Sequence, residues 1–568
     1  MRIQNSTWTL GLFLLLLLAG ACKRETFLEF ADGLVLNVNT NILKTPLVIS
    51  FVNANPNSGL SPNNITVDVL GEGADKLYSL TGESTITVIE GIVNIGIRPA
   101  DAPSVQNPLE FTLIAKAPGF LQSVNHFTIF DADLTQHVTV YMVEKDHAPA
   151  GISVDRDQIL DVQDGGLDVP FVIESNVSST KKEKIQFFLP QGVQLLDRNF
   201  QPLNGSGQIE LAHFDNRSPF SLDALTGMTD AMPAVDQDGK ILGTVSFDLA
   251  SLYSIEMTVG SQEVRYFSEP AVVTLTLNPQ TFNPQTNDYI KAGDILPVWS
   301  LDETAMQWHK ETLAEVVSNN GGLEVTFEQT HLSNWLLGGA NDLCTAGTVL
   351  TVQTGIPAEA CDRYYYVELV DIATGQPVAS RWSNTYFTLS TGSEVPIFQA
   401  PAGKMTKLRV WEGTRRCQGS LLAESAPFDP CGGAQTITLG ELKPQGWFNI
   451  DVSISAYCET AGPGILIAPT ANLLYRPSGC GNFGFLGKIV NGKGCTATLK
   501  KGETYDFKTR YGQRVYLYEG IVMEDQEIVY TLQNGDPVNL RLFSAGNKAD
   551  LILENVPVPA DYCQFFEE

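Results

Sequence analysis

The residues best suited to chemistry in this sequence are carboxylates, and one group of them is concentrated near position 160. They are Asp155, Asp157, Asp161, Asp164 and Asp168. Calcium takes six to eight oxygen ligands, and a run of aspartates between two folded units could supply them. The spacing departs from an EF-hand loop, because Ile159 and Leu160 stand where that loop has a ligand and glycine. Calcium is therefore the one cofactor considered, and a solvated acidic linker with no cofactor is the alternative.

Aromatic side chains in the C-terminal half could stack on sugar rings. The candidates are Tyr364, Tyr366, Trp382 and Trp411. Alternate tyrosines on one strand share a face, which is the arrangement that stacking on a ligand needs. The alternative is that these rings fill the cores of their domains.

Familiar catalytic motifs are absent from the sequence. It has no G-x-S-x-G elbow, no H-E-x-x-H, no P-loop and no dinucleotide fingerprint.

The chain is strongly acidic. Its 568 residues include Lys+Arg 36 against Asp+Glu 64, which gives a formal net charge of −28. Because a phosphate backbone is bound by a basic face, this charge argues against nucleic acid as a partner. We therefore predict a protein that is not an enzyme and does not bind nucleic acid.

The cysteines are unevenly distributed, with Cys22 near the N-terminus and all the others beyond position 343. The disulfide candidates are Cys344, Cys361, Cys417, Cys431, Cys458, Cys480, Cys495 and Cys563. An even number of cysteines in an exported protein favours disulfides. None lies in a C-x-x-C motif or near a histidine cluster, so zinc is disfavoured. The pairing stays open, because many connectivities are compatible with the spacing.

The N-terminus carries an export signal. The apolar run Leu10–Leu18 continues through small residues to Cys22, and it is shorter than the roughly 20 residues that span a bilayer. The segment Leu18–Cys22 resembles the lipoprotein signal of bacteria, in the lax form found in Bacteroidota. The resemblance implies cleavage before Cys22, acylation of Cys22 with palmitate-like chains, and a lipid anchor in the outer membrane. The side of that membrane stays open, and an ordinary secretory signal with an incidental cysteine is the alternative.

Beyond residue 32, alternation with period two dominates the sequence. Ile65–Val69, His137–Val143 and Val272–Leu277 are examples, and Trp308–Thr312 is also expected to lead into a strand. Such runs between Gly, Pro, Asn and Asp clusters predict antiparallel sandwiches. We predict an all-β chain built as a tandem array of Ig-like or prealbumin-like β-sandwiches. The predicted parts are a signal peptide (1–21), a lipidated tether (22–32), and a first (33–147), second (148–341), third (342–445) and fourth unit (446–568).

The first and fourth units resemble the carboxypeptidase-regulatory, prealbumin-like sandwich. In the first unit, Leu109–Phe120 ends in the A-x-G-F phrase of that family. In the fourth unit, Leu499–Phe507 matches its L-x-x-G-x-x-Y-x-F phrase. The resemblance implies structural or ligand-presenting modules that carry no catalytic residues.

The second unit resembles the ZU-type modules of zonula occludens proteins and netrin receptors. The resemblance rests on the order of three phrases, Phe188–Val193, Ile295–Asp302 and Thr330–Trp335.

In some ZU-type and adhesion-receptor domains the closing His-Leu-Ser triplet cleaves itself. The resemblance then implies that His331 acts as base, that Ser333 acts as nucleophile and that the Leu332–Ser333 bond is cut. The alternative is a final strand in which Trp335 packs into the core and His331 bonds a neighbouring strand.

Together these observations predict a lipid-anchored envelope or cell-surface protein that works by binding, adhesion or scaffolding. Its partners would be the membrane, through the anchor, and an unknown protein or glycan. Two alternatives are an autoproteolytic surface protein cleaved at Leu332–Ser333 and a glycan-binding accessory lipoprotein. Most of the negative charge precedes position 343. We therefore expect the less charged C-terminal half to lie farthest from the anchor and to meet the partner.

Overall fold

The computed structural model describes 15 parts of the chain. They are residues 38–39, 43–79, 82–163, 166–355, 361, 363–378, 385–412, 419–440, 442, 449–458, 462–481, 483–511, 514–531, 537–545 and 548–558. Strands dominate these residues, most strand pairs are antiparallel, and one α-helix occurs among them. The predicted all-β fold class is therefore confirmed. Within the same residues, no helix has both the length and the hydrophobicity needed to cross a bilayer.

The first unit contains two sheets that face each other. Its strands, after a short β1 (Val38–Asn39), are β2 (Lys44–Asn53), β3 (Thr66–Leu70), β4 (Leu77–Tyr78), β5 (Ile92–Ile97), β6 (Leu109–Lys116), β7 (Ser123–Ile129) and β8 (Gln136–Met142). One sheet has the order β4-β5-β2-β8 and the other β3-β6-β7. Alternate residues of each strand, such as Leu47 and Ile49 of β2 and Phe111 and Leu113 of β6, point into the shared core. Two single 3-10 turns, Ala74–Lys76 and Pro99–Asp101, connect strands.

The second unit is larger and contains the helix. Its elements are β9 (Ile152–Gln163), β10 (Gly166–Leu167), β11 (Phe171–Glu174), β12 (Ile185–Leu189), β13 (Leu195–Leu196), β14 (Gly205–Phe214), α1 (Pro219–Thr229), β15 (Met232–Val235), β16 (Ile241–Val259), β17 (Gln262–Glu263), β18 (Tyr266–Leu277), β19 (Phe282–Asn283), β20 (Asp288–Tyr289), β21 (Ile295–Asp302), β22 (Gln307–Glu315), β23 (Val317–Asn319), β24 (Gly322–His331) and β25 (Asn334–Asp342).

The long strand β16 organises this unit. It pairs with β14, β15 and β25, and β25 returns through β21 and β22 to β15, so that these strands close into a ring. A six-stranded sheet containing β12, β18 and β24 covers one side. Trp308 lies in β22, as its sequence predicts, and it is fully buried.

The third and fourth units are again two-sheet sandwiches. The third contains β26 (Thr348–Gln353), β27 (Tyr364–Asp371), β28 (Thr385–Thr388), β29 (Ser393–Ile397), β30 (Thr406–Trp411), β31 (Leu421–Glu424) and β32 (Gln435–Thr438). The fourth contains β33 (Asn449–Cys458), β34 (Gly462–Ala468), β35 (Ala471–Pro477), β36 (Gly484–Ile489), β37 (Lys493–Thr496), β38 (Thr504–Tyr511), β39 (Arg514–Val522), β40 (Gln526–Thr531), β41 (Pro537–Ala545) and β42 (Lys548–Val558).

Three of the units share one topological feature. The first strand lies parallel to the last in the first unit (β2 and β8), the third (β26 and β32) and the fourth (β33 and β42). All other strand pairs of these units are antiparallel, apart from β1 with β34. Each unit is therefore the same kind of sandwich, although the sequence shows no strict repeat.

The units pack on one another rather than standing in a row. Ile114 and Val124 of the first unit share a core with Trp308 and α1 of the second. From the fourth unit, the Arg510 guanidinium donates to the carbonyl oxygens of Thr87 (2.9 Å) and Ile92 (2.8 Å) in the first. The expectation that the C-terminal half lies farthest from the N-terminus is therefore wrong, because the fourth unit folds back onto the first.

Candidate functional site

The closing triplet of the second unit does not assemble a base and a nucleophile. The Ser333 hydroxyl donates to the Leu301 carbonyl oxygen. The His331 ring lies 4.9 Å from the Trp335 ring between centroids, and its Nδ1 is 3.5 Å from Thr330 Oγ1. A general base needs to lie within about 2.6–3.2 Å of the hydroxyl, and no hydrogen bond joins these two side chains in the described structure. Burial lowers the pKa of His331.

The backbone around the Leu332–Ser333 bond is regular. Neither residue has a positive φ, and the Leu332 amide donates to the Arg265 carbonyl oxygen at 2.9 Å. Trp335 is buried in the core of the unit. This geometry is that of the alternative interpretation, a closing strand that anchors a core tryptophan.

The described carboxylates near position 160, those of Asp155, Asp157 and Asp168, do not converge. Asp155 is buried and accepts hydrogen bonds from the Asn176 backbone amide (3.1 Å) and side-chain amide. Asp157 and Asp168 are exposed. Among the residues whose side chains are described, these carboxylates form no group of three with oxygens close enough to share an ion.

Three of the four candidate sugar-stacking aromatics are described, and they lie at contacts inside the protein. Tyr364 meets Phe485 of the fourth unit edge to face, with centroids 4.8 Å apart. Tyr366 lies opposite Trp411 in the sheet, and the Trp411 indole donates to Glu368 Oε2 at 2.7 Å. These three half-buried rings therefore stabilise packing between strands and units.

Two of the predicted disulfide candidates form a pair within the third unit, and two others link the third unit to the fourth. Cys344 is bonded to Cys431, and Cys361 is bonded to Cys495. Cys480 is also disulfide-bonded. One group of potential metal ligands occurs in the described residues, Cys361, Asp451 and Cys495, but both of its sulfurs are in a disulfide and supply no thiolate.

Several predicted sites fall outside the residues that the structure describes. They are Cys22, Asp164, Trp382, Cys417, Cys563 and the side chains of Asp161 and Cys458.

The strongest candidate site is a cleft of about 430 Å³ at the junction of the second and third units. Its walls are α1, residues 246–249 of β16, the turn between β18 and β19, the β19–β20 hairpin and two turns of the third unit around positions 375 and 402. A volume of this size lies within the range of about 300–1,000 Å³ typical of small-molecule sites.

The helix α1 supplies one wall. Its N-terminus is fixed by Ser218, whose side chain accepts from the Phe220 amide at 3.3 Å, and by Pro219 in the first turn. One face of α1, which includes Leu225 and Met228, is buried. The other face, with Leu222, Asp223, Thr226 and Thr229 at helical spacing, lines the cleft.

A duplicated tetrapeptide builds the wall opposite. Asn-Pro-Gln-Thr occurs at 278–281 and again at 283–286. In both copies the Asn side chain accepts from the Gln backbone amide at 3.0 Å, which makes the same Asx turn twice. The second turn leads into the β19–β20 hairpin and presents Tyr289, which is 55% exposed, beside Phe282.

An ion cluster joins the two units at the cleft. Lys404 of the third unit pairs with Asp248 of the second and, at 3.2 Å, with Asp371 of its own unit. Asp248 also accepts from the Asn341 side chain at 2.9 Å. The charge of Lys404 is therefore fully compensated within the protein.

The cleft contains polar groups with unused hydrogen-bonding capacity. Gln280 of the second unit and Gln376 of the third both line it. Their backbone amides are bonded, whereas their side-chain amides have no hydrogen-bond partner in the described part of the chain. None of the described lining residues is a histidine or a cysteine.

No residue singled out from the sequence lines this cleft. Two local signals could have pointed to it, namely Ser218-Pro219 as a helix start in an otherwise β-rich chain and the duplicated Asn-Pro-Gln-Thr. The helix and these turns both belong to the second unit, and the part of the cleft that the third unit supplies depends on how the two units pack.

A second cavity of about 400 Å³ lies between the first and second units, and Ser333 is part of its lining. Its Arg265 is paired with Glu263 at 2.8 Å and Glu303 at 3.1 Å.

Comparison with known proteins assigns no family. No family model and no curated protein matches the chain. Among solved structures, the pilus adhesin SpaC from Lactobacillus rhamnosus GG matches at 10% identity and a TM-score of 0.14, over 72% of this chain and 54% of SpaC. The Bacillus anthracis TIE protein matches at 10% identity and a TM-score of 0.11, over 71% of this chain and 58% of that one. The chain thus spans little more than half the length of either structure, and no functional conclusion rests on them.

Proposed function

We propose that this protein is a lipid-anchored, non-catalytic binding protein of the cell envelope or cell surface, and that its ligand occupies the junction cleft. The observation that carries the proposal is the pair of unused amides, on Gln280 and Gln376, that face one cleft from two units. Gln376 is half-buried and Gln280 is exposed, so both amides are accessible to a ligand and can donate and accept hydrogen bonds there.

The absence of histidine and cysteine from the described lining supports a binding role. General-base and nucleophilic catalysis commonly rely on such groups. The carboxylates of Asp223 and Asp230 remain, and they could serve either in hydrogen bonding or in acid–base chemistry. Release of a new product from a bound ligand would contradict the non-catalytic part of the proposal.

The anchor part of the proposal is supported by the sequence Leu18–Cys22. A stable anchor requires more than one acyl chain, and the lipoprotein resemblance implies several.

The test of the anchor is expression of the parent and of Cys22→Ser in a Bacteroidota host fed an alkyne-bearing fatty acid. The parent should take up label and sediment with outer membranes, whereas Cys22→Ser should do neither. Equal labelling of both would overturn the anchor. Protease added to intact cells then distinguishes the surface from the periplasmic side.

The binding part is tested with the full chain in detergent, immobilised and exposed to panels of glycans and peptides. Tyr289→Ala removes an exposed ring at the cleft, and Phe200→Ala removes a ring that is 61% exposed and does not line it. We expect binding that Tyr289→Ala weakens and Phe200→Ala leaves unchanged. Binding that both variants leave unchanged would place the ligand elsewhere.

A further inference from the structure

We infer that the ligand of the junction cleft is an oligosaccharide that is neutral or carries amino groups. This inference rests on the proposed function and specifies the chemical class of the ligand.

The hydrogen-bonding groups of the cleft match sugar hydroxyls. Gln280 and Gln376 each offer a primary amide, which can donate and accept at the same time. Adjacent hydroxyls of a pyranose have the same dual capacity, so each amide can engage a neighbouring pair of them. Thr226 and Thr229 on α1 use their hydroxyl protons on the Leu222 (3.0 Å) and Leu225 (3.2 Å) carbonyls, which leaves their oxygens as acceptors.

The charge of the cleft disfavours an anionic ligand. Among its described lining residues, the two cations are already paired, Lys404 with Asp248 and Asp371, and Arg217 with Glu183 at 2.5 Å. Asp223 and Asp230 also line it, and each takes part in an interaction within the protein. A sulfated, phosphorylated or uronic sugar would therefore find no free cation among the described lining residues. A neutral or amino-bearing sugar needs none.

The hairpin supplies a ring on which a sugar can stack. Tyr289 is largely exposed, although it lies directly opposite half-buried Phe282 in a two-stranded hairpin. The hairpin is held by the Asn283 side chain, which donates to Asp294 at 3.1 Å. An aromatic face held in this way offers the C–H groups of a pyranose an apolar contact while its hydroxyl stays accessible.

The geometry favours a sugar over a peptide. A peptide bound in extended form is usually held by the backbone of a free sheet edge. The cleft is lined by a helix, by turns and by residues 246–249 of β16, which are already paired with β25. Its polar contacts come from side chains of two units, which suits a branched ligand with hydroxyls on several sides. The charge of the cleft does not by itself exclude a cationic peptide, so the experiment includes such peptides.

The experiment uses four probe sets against the full chain in detergent: neutral, amino-bearing and anionic oligosaccharides, and Lys/Arg-rich peptides. We expect neutral or amino-bearing sugars to bind and anionic sugars to fail. Tyr289→Ala should weaken binding about tenfold, the size of a lost stacking contact of roughly 1.4 kcal/mol. Tyr289→Phe keeps the ring and should stay within about twofold to threefold of the parent, which is the effect of losing one weak hydrogen bond.

Gln280→Ala and Gln376→Ala should each weaken binding by about twofold to tenfold, as expected for a lost hydrogen bond. Phe200→Ala is the matched control and should bind as the parent does. Unchanged circular dichroism of each variant shows that folding is intact.

Two failures are distinguishable. If anionic sugars or cationic peptides bind in place of neutral and amino sugars, and Tyr289→Ala weakens that binding, the ligand class is overturned while the proposed binding role stands. If no probe binds, and isolated outer membranes and whole cells retain the parent and the Tyr289→Ala variant equally, then the inferred ligand class and the assignment of the cleft as the ligand site are both wrong.

Discussion

Polar side chains in the cores of this protein are held by other polar groups in structural networks. His213 lies between two serines, with its Nδ1 3.2 Å from Ser175 Oγ and its Nε2 3.0 Å from Ser251 Oγ. The Lys181 ammonium donates to Ser175 Oγ (3.2 Å) and the Glu183 carbonyl (2.9 Å), and burial lowers its pKa to about 8. Because each group is enclosed and bonded, such residues stabilise the sandwich rather than act on a substrate.

The contacts of Ser333 predict that the chain is not autoproteolytic. Its hydroxyl is bonded to the Leu301 carbonyl, and His331 does not reach it. We expect the parent and Ser333→Ala to give the same single full-length band on denaturing electrophoresis, because neither contains an activated nucleophile. Two fragments from a protease-free parent sample, absent from Ser333→Ala, would restore self-cleavage.

Burial of His137 predicts a loss of stability in mild acid. Its Nε2 lies 3.0 Å from Ser50 Oγ, its ring faces Tyr386 and Phe485, and burial lowers its pKa to about 4 from an ordinary value of 6.5. As the pH falls below about 6.5, His137 becomes protonated in the unfolded chain, whereas in the folded chain it stays neutral down to about pH 4. The free energy of unfolding should therefore fall between these values, by roughly 3 kcal/mol.

The measurement for His137 is urea unfolding at intervals from pH 7 to pH 4. His137→Gln cannot take up this proton, so its free energy of unfolding should depend less steeply on pH. His213 is present in both proteins, so its own contribution cancels in the comparison. Parallel pH profiles for the two proteins would contradict the assignment.

Among the structural elements, the strands and turns at the contact between the second and third units carry a buried ion cluster. The Lys404 side chain is only 10% exposed, and its partners Asp248 and Asp371 are 15% and 3% exposed. Removing one member of such a buried cluster leaves uncompensated charge, which typically costs about 3–5 kcal/mol.

We expect Lys404→Met to destabilise the contact between the second and third units by an amount of that order. The matched control is Lys407→Met in β30, because Lys407 pairs with Glu424 at 2.7 Å in a more accessible position, with side chains 24% and 31% exposed. Such a pair typically contributes about 1 kcal/mol or less. Denaturant unfolding of both variants checks the difference, and equal losses would show that the cluster has no special role.

The Cys361–Cys495 disulfide should stabilise the third unit against the fourth. It closes a loop with a sequence separation of 134. Replacing both cysteines with serine should lower the free energy of unfolding by about 2–4 kcal/mol. Limited proteolysis should then release the third and fourth units from each other more readily than in the parent. The equivalent change at Cys344 and Cys431 lies within one unit and should not give that cleavage pattern.

At the scale of the whole molecule, the first unit is the centre of the assembly. It shares a core with the second unit, stacks Phe130 on Phe398 of the third with centroids 4.3 Å apart, and receives Arg510 of the fourth. Burial lowers the pKa of Arg510 to about 10, so the guanidinium remains charged at neutral pH and bonded to backbone carbonyls. The four units therefore form one body with internal junctions.

This packing predicts a compact particle in solution. For the 546 residues that follow Cys22 (568 − 22), a compact chain has a radius of gyration of about 24 Å. Small-angle scattering of the parent should give a value near this one. Arg510→Ala with Lys508→Ala removes two side chains of the fourth unit that donate to backbone carbonyls of the first, and it should loosen this junction and raise the radius. A parent value well above 24 Å that the double variant does not change would indicate an extended array.

Local patterns were sufficient to predict the strands. Alternation in Val272–Leu277 and around Trp308 predicted β18 and β22 correctly, since side chains that alternate between core and solvent impose a period of two. The even set of late cysteines likewise indicated disulfides, of which Cys344–Cys431 and Cys361–Cys495 are present. The pairing itself needed coordinates, because it depends on which turns meet.

The sequence by itself determined the fold class and the presence of disulfides, because each follows from short-range pattern or composition. Only the tertiary structure decided that the fourth unit returns to the first and that Gln280 and Gln376 share one cleft. Such contacts join residues far apart in the chain, and their free energy comes from surfaces that exist only after each unit has folded. Periodicity records which side of a strand is buried, but not which folded unit lies against it.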